Sequence, residues 1–111
     1  MSPRSHSRRP ARAPVFAALG DETRLALVRR LSGGRPHSIS QLAAGSRLTR
    51  QAITKHLRVL EGAGIVHGLR AGRENRFALD PGPLKEIREY LDFVSAAWDR
   101  ALARLKAYVE D

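Results

Sequence analysis

Residues 38–79 constrain the fold more than any other part of this chain. They run S-I-S-Q-L-A-A-G-S-R-L-T-R-Q-A-I-T-K-H-L-R-V-L-E-G-A-G-I-V-H-G-L-R-A-G-R-E-N-R-F-A-L. Ser38 or Ser40 can cap a short helix bearing Ile39, Leu42 and Ala43, and Gly45-Ser46-Arg47 supplies a turn. Thr49 then opens a longer helix that Gly62-Ala63-Gly64 stops. Beyond it, Ile65–Leu69 and Arg76–Leu79 read as two strands joined around Ala71-Gly72. Helix, tight turn, amphipathic helix and basic hairpin in that order make a unit that can present one helix to a double-stranded polyanion.

The longer helix carries the sharpest chemical signal. At 100° per residue, Ala52, Ile53, Leu57 and Leu60 fall on one side, and Arg50, Gln51, Thr54, Lys55 and Arg58 on the other. Arginine pairs bidentately with guanine, glutamine with adenine, and threonine or lysine serves base or phosphate. These types occupy the first two turns, the end of such a helix that meets base edges. Arg50, Gln51, Thr54 and Lys55 are therefore the candidates for base contacts, with Thr49 and Arg58 for phosphate. A solvated polar face would look the same on this helix alone; its flanking elements favour DNA. His56, at the edge of the apolar face, reads as a packed, hydrogen-bonded histidine rather than a ligand.

The hairpin adds Arg70, Arg73 and Arg76 around Gly72. Arginines at such a tip suit the negative potential of a narrow minor groove, and Arg73 is nearest the tip. Charged hairpin edges also discourage aggregation, but here the added charge is predominantly of one sign.

Charge distribution supports the same partner. The formal charge of the 111 residues is +9, and residues 47–76 hold seven arginines or lysines against Glu61 and Glu74. Residues 84–111 are nearly balanced, which suits a polyanion-binding module joined to an association element. Residues 1–12, with Arg4, Arg8, Arg9 and Arg12 and no acid, read as a disordered basic arm. The absence of cysteine excludes disulfides and thiolate metal sites. No apolar run approaches the roughly 18 residues of a membrane span, so a cytoplasmic location is expected. Paired carboxylates, nucleophile–base spacing and a phosphate-cradling glycine loop are all missing, which argues against an enzyme.

Upstream, Val15, Phe16 and Leu19 form a short apolar helix ending at Gly20. Asp21 caps a second helix, with Leu25, Leu27, Val28 and Leu31 inward and Arg24, Arg29 and Arg30 outward. At the other end, Leu84, Ile87, Leu91, Val94, Trp98, Leu102 and Leu105 recur every three or four residues for six turns, widened by Tyr90 and Phe93. That stripe is longer than so small a domain needs for its own core. Pairing across a two-fold axis would bury the excess and set two reading helices about one DNA turn apart.

The segments V-F-A-A-L-G-D-E-T-R-L, T-R-Q-A-I-T-K-H-L-R-V-L-E-G-A-G-I-V and R-A-G-R-E-N-R-F-A-L together resemble the ArsR-type winged helix-turn-helix transcriptional repressors. The resemblance implies a mostly α fold of five helices with a two-stranded antiparallel wing, residues 13–80 forming the DNA-binding domain and 81–111 a C-terminal dimerisation helix. It implies a homodimer built from Val15, Phe16 and Leu19 with the Leu84–Leu105 face, and an inverted-repeat DNA operator. Metal-sensing members place cysteines in the helix before the turn, where Ile39–Ala44 holds none, or Asp and His on the last helix, where no histidine follows His67. No metal or cofactor is therefore expected, and any small-molecule effector is unknown. In the turn, Arg47 stands where the family usually has glycine, a cost of about 1 kcal/mol if the backbone there is left-handed. The competing reading is a non-specific or architectural nucleic-acid binder acting through net charge.

Overall fold

A computed structural model describes residues 12–110, so the basic arm proposed for residues 1–12 lies outside the described residues except for Arg12. Five helices and three strands follow one another: α1 (Arg12–Leu19), α2 (Glu22–Leu31), β1 (His37–Ser38), α3 (Ile39–Ala44), α4 (Arg50–Gly62), β2 (Val66–Ala71), β3 (Glu74–Leu79) and α5 (Pro81–Glu110). The expected wing is present as the antiparallel pair β2–β3, from Val66↔Leu79 to Ala71↔Glu74. It is longer at the tip than expected and turns through Gly72-Arg73, with Gly72 at φ 65°. A positive φ in the first of two loop residues suits the twist of a tight hairpin and favours glycine there.

The sheet has one strand more than the sequence reading allowed. β1 pairs with β3 through His37↔Phe77 and Ser38↔Arg76, so β3 is central in the order β1-β3-β2. Two residues after Pro36 give no alternation to read. Their pairing fixes the start of α3 to the wing.

The starts of α2, α3 and α4 are each closed by a side chain of the expected type. The Asp21 carboxylate accepts the Arg24 N–H at 3.0 Å. Ser38 and Gln41 form a reciprocal capping box. Thr49 accepts the Ala52 N–H at 3.1 Å. At the far end of α4, the Gly64 N–H reaches Glu61 O at 2.9 Å and the Ile65 N–H reaches Leu60 O at 2.9 Å, with Gly64 at φ 79°. These two bonds form a Schellman stop, in which the left-handed residue is one a side chain would strain. Arg47 is not left-handed: no residue other than glycine has positive φ among the described residues, so the anticipated strain is absent.

The core gathers Val15 and Ala18 of α1, Leu27 and Leu31 of α2, Leu42 of α3, Ile53, Leu57 and Leu60 of α4, Ile65, Val66, Phe77 and Ile87. Leu25, expected inward, is exposed because it lies about 160° around α2 from Leu27. α5 begins at Pro81, two residues before Pro83, with the Asp80 carboxylate accepting the Gly82 N–H at 3.0 Å. Its first two turns pack Pro83 and Ile87 inward, and the rest projects. The radius of gyration is 18.5 Å, against about 13 Å for a compact chain of this length.

Asp21 makes a direct pH prediction. The Arg24 N–H bonded to its carboxylate lowers its pKa from the ordinary 3.8, outweighing desolvation, and the Arg24 charge acts in the same direction. A depressed folded-state pKa contributes stability above the unfolded value, and that contribution is lost as pH falls through the folded one. Asp21→Ala should therefore lower the melting temperature at pH 7, with the gap to the parent closing below about pH 4. A gap that stays constant down to pH 2 would contradict the cap's ionic character.

Candidate nucleic-acid interface

The reading face of α4 stands clear of the rest of the molecule. Arg50, Gln51, Thr54 and Lys55 line one open groove of about 800 Å³, together with Ile39 from α3. Among the described residues, the side chains of Arg50, Gln51 and Lys55 make no hydrogen bond or ion pair. Thr54 differs, since its hydroxyl donates to Arg50 O at 2.7 Å. That leaves its methyl group and an oxygen lone pair facing outward. Thr49 spends a lone pair on its cap and keeps its O–H proton to donate.

Two of the predicted DNA contacts, Arg58 for phosphate and Arg76 on the wing, are occupied. Arg58 donates to Glu61 Oε1 at 2.9 Å, and Arg76 Nε donates to Glu74 Oε1 at 2.9 Å. Both pairs were visible as spacings: three residues along a helix, and two along a strand on one face. Arg70 turns back onto the hairpin, its Nε reaching Gly72 O at 3.1 Å. Arg73 makes no such bond among the described residues. It shares a hollow of about 210 Å³ with Arg50, flanked by Ser38, Ile39, Ser40, Glu74 and Asn75. The wing tip and the start of α4 thus meet over the beginning of α3, so Ile39 and Ser40 belong to the surface although the sequence reading left them out.

α2 positions both helices of the pair. Arg24 Nε donates to Ala18 O at 2.6 Å, and its NH1 lies 3.1 Å from His56 Nδ1. A guanidinium only donates, so Nδ1 accepts. Arg30 donates to Leu42 O at 2.7 Å and Gln41 O at 3.1 Å, the carbonyls at the end of α3. These two arginines, expected to face outward, instead bend their heads onto neighbouring helices. His56 is a packed, hydrogen-bonded residue as its position on α4 indicated.

The expected association surface divides in two. Val15 and Ile87 are buried in the protomer's own core, with Leu19 and Leu84 packed against it. Phe16, Leu91, Val94, Trp98, Leu102 and Leu105 are exposed, as are Tyr90, Phe93, Tyr108 and Val109. Phe16 meets Tyr90 edge-on at 6.1 Å, and the Arg12 guanidinium sits 4.9 Å above the Tyr90 ring. No group of three His, Asp or Glu side chains converges on a common point among the described residues, and no described helix is long and apolar enough to cross a membrane.

Residues 19–68 match the helix-turn-helix domain family. The HTH-type transcriptional regulator Rv2034 of Mycobacterium tuberculosis is 40% identical over 95 residues, spanning 86% of this chain and 83% of that protein. An ArsR-like transcriptional regulator from Rhodococcus sp. RHA1 is 41% identical and superimposes with a TM-score of 0.73 over 86% of this chain and 89% of its own. The fold also matches, at 20% identity and a TM-score of 0.62, the homodimeric winged helix-turn-helix DNA-binding domain of Mb0332 from Mycobacterium bovis, over 92% of this chain and 91% of that one. With this fold and these relatives, the chain belongs to the ArsR-type winged helix-turn-helix transcriptional regulators.

Proposed function

We propose that the protein is a homodimeric repressor of cytoplasmic transcription that reads an inverted-repeat operator. In this reading, α4 lies in the major groove and the β2–β3 tip reaches the adjacent minor groove. The observation that carries it is the sorting of polar groups on the basic face. Among the described residues, Arg50, Gln51 and Lys55 have no internal partner along one groove, while Arg58 and Arg76 are held by carboxylates. A binder relying on charge alone gains from every unpaired cation. On the α4 face, the groups without a partner among the described residues are those able to read base edges, and Arg73 joins them from the wing. In the same reading Thr49 donates to a phosphate, and Arg58 follows once Glu61 releases it. The dimer rests on the exposed stripe of α5 beside Phe16, and the repressor sense on the family alone.

A competition titration tests the reading. The protein should prefer its selected duplex over random duplex by about 10³-fold or more. Gln51→Ala should lose about 1–3 kcal/mol of that discrimination, roughly 5- to 150-fold, with little change in binding to random DNA. Equal affinity of the parent for every duplex would instead make the chain an architectural binder.

A further inference from the structure

We infer that Arg30 is a positioning residue for DNA reading: it locks the helix pair α3–α4 at its turn, and Gly45 is glycine in order to admit it. Gly45 caps α3 at φ −94° and ψ 17°, a conformation any residue can adopt. Its backbone therefore gives no reason for glycine. The reason is spatial. A Cβ built at position 45 would lie 2.8 Å from the Arg30 NH1 nitrogen and 3.0 Å from its Cζ. The guanidinium lies against the bare Cα while NH1 and NH2 bond Leu42 O and Gln41 O.

The consequences run from α2 to the reading face. Leu42 and Gln41 lie in the last turn of a six-residue helix, whose final carbonyls have no partner within the helix. Arg30 satisfies two of them with a charged, planar donor pair. The turn at Gly45 leads directly into Thr49 and α4, so the angle at which Arg50 and Gln51 leave the domain depends on where α3 ends. On the other side of α2, Arg24 holds His56 of α4. Arg30 therefore acts through the turn and need touch no nucleotide.

A methyl group at position 45 would displace the mobile head of Arg30 rather than the backbone. Gly45→Ala should therefore reproduce the loss of Arg30, and the two changes together should add little to either. This inference rests on the operator-reading function, so its test has an arm independent of DNA. Purified full-length Gly45→Ala, Arg30→Ala, the double variant and Arg30→Lys are melted, then titrated with the duplex selected by the parent and with a scrambled duplex. Titration is done well below every melting temperature.

The melting drop caused by Gly45→Ala should vanish in the Arg30→Ala background. Selectivity for the chosen duplex should fall at least tenfold in both single variants, with scrambled-duplex affinity and its salt dependence unchanged. Arg30→Lys should restore stability better than selectivity, because one ammonium cannot hold two carbonyls in a plane. Additive melting shifts would overturn the lock. Unchanged selectivity in destabilised variants would reduce Arg30 to a structural role, and uniform weakening with a salt slope lower by about one would make it a phosphate ligand instead. Absence of any duplex preference in the parent would sink the operator reading and with it the DNA-reading role of Arg30. The melting cycle would then decide the lock alone.

Discussion

Trp98→Asp should yield a folded monomer that binds the operator at least about 100-fold more weakly than the parent. Trp98 is 65% exposed on its own protomer, so its replacement removes little from the fold that carries α4. In a two-fold dimer the same change occurs twice. Burying the exposed part of such an aromatic side chain, roughly 100–160 Å², contributes about 2.5–4 kcal/mol per protomer at 25 cal/mol per Å², and the new carboxylate would have to be desolvated as well. The pair should come apart at micromolar concentration. A monomer keeps one half-site, losing both the second set of contacts and the fixed spacing between the two. Sedimentation equilibrium and a DNA titration on the same sample check this. A variant that remains dimeric, or a monomer with parental operator affinity, would remove α5 from the account.

Phe77→Ala should be the most damaging single truncation in the core. Phe77 is 1% exposed on the central strand, with β1 on one side and β2 on the other. Its ring edge lies over its cross-strand partner Gly68, 3.7 Å from where a Cβ there would stand. Removing a buried phenylalanine costs about 3–5 kcal/mol, a large part of the 5–15 kcal/mol that holds a domain of this size. The melting temperature should fall by about 15 °C or more. Leu69→Ala, on the exposed face of β2, is the control and should cost under about 0.5 kcal/mol. Equal effects at the two positions would mean that the sheet is not anchored as described.

Much of this was readable in advance where side-chain period and capping chemistry agree. α4 combines a clean apolar side (Ile53, Leu57, Leu60), a Thr49 cap and a glycine stop, and each occurs where expected. Gly72, Glu74 and Asn75 are poor strand formers, so the sequence indicates a shorter wing tip than the structure has. The ladder nevertheless persists to Ala71↔Glu74 because a tight turn keeps the strands in register. β1 has no periodicity to show. The α2 arginines misled for a different reason: Arg24 and Arg30 leave the helix on its polar side, but their long stems carry the guanidinium onto a neighbour's carbonyl or ring. Helical projection locates the Cβ and says nothing of where four further bonds lead. Arg58 and Arg76 differ, because their spacings to Glu61 and Glu74 already pair them, and those carboxylates leave the reading groove to Arg50, Gln51, Thr54 and Lys55.

Selection of binding sites from a random duplex library with the purified protein tests the central claim most directly. One inverted repeat should be enriched, with half-site centres about 10–10.5 base pairs, or one helical turn, apart. Gln51→Ala should relax the preference at one position in each half while the spacing is kept. Recovery of unrelated sequences, or of single half-sites without a partner, would contradict it.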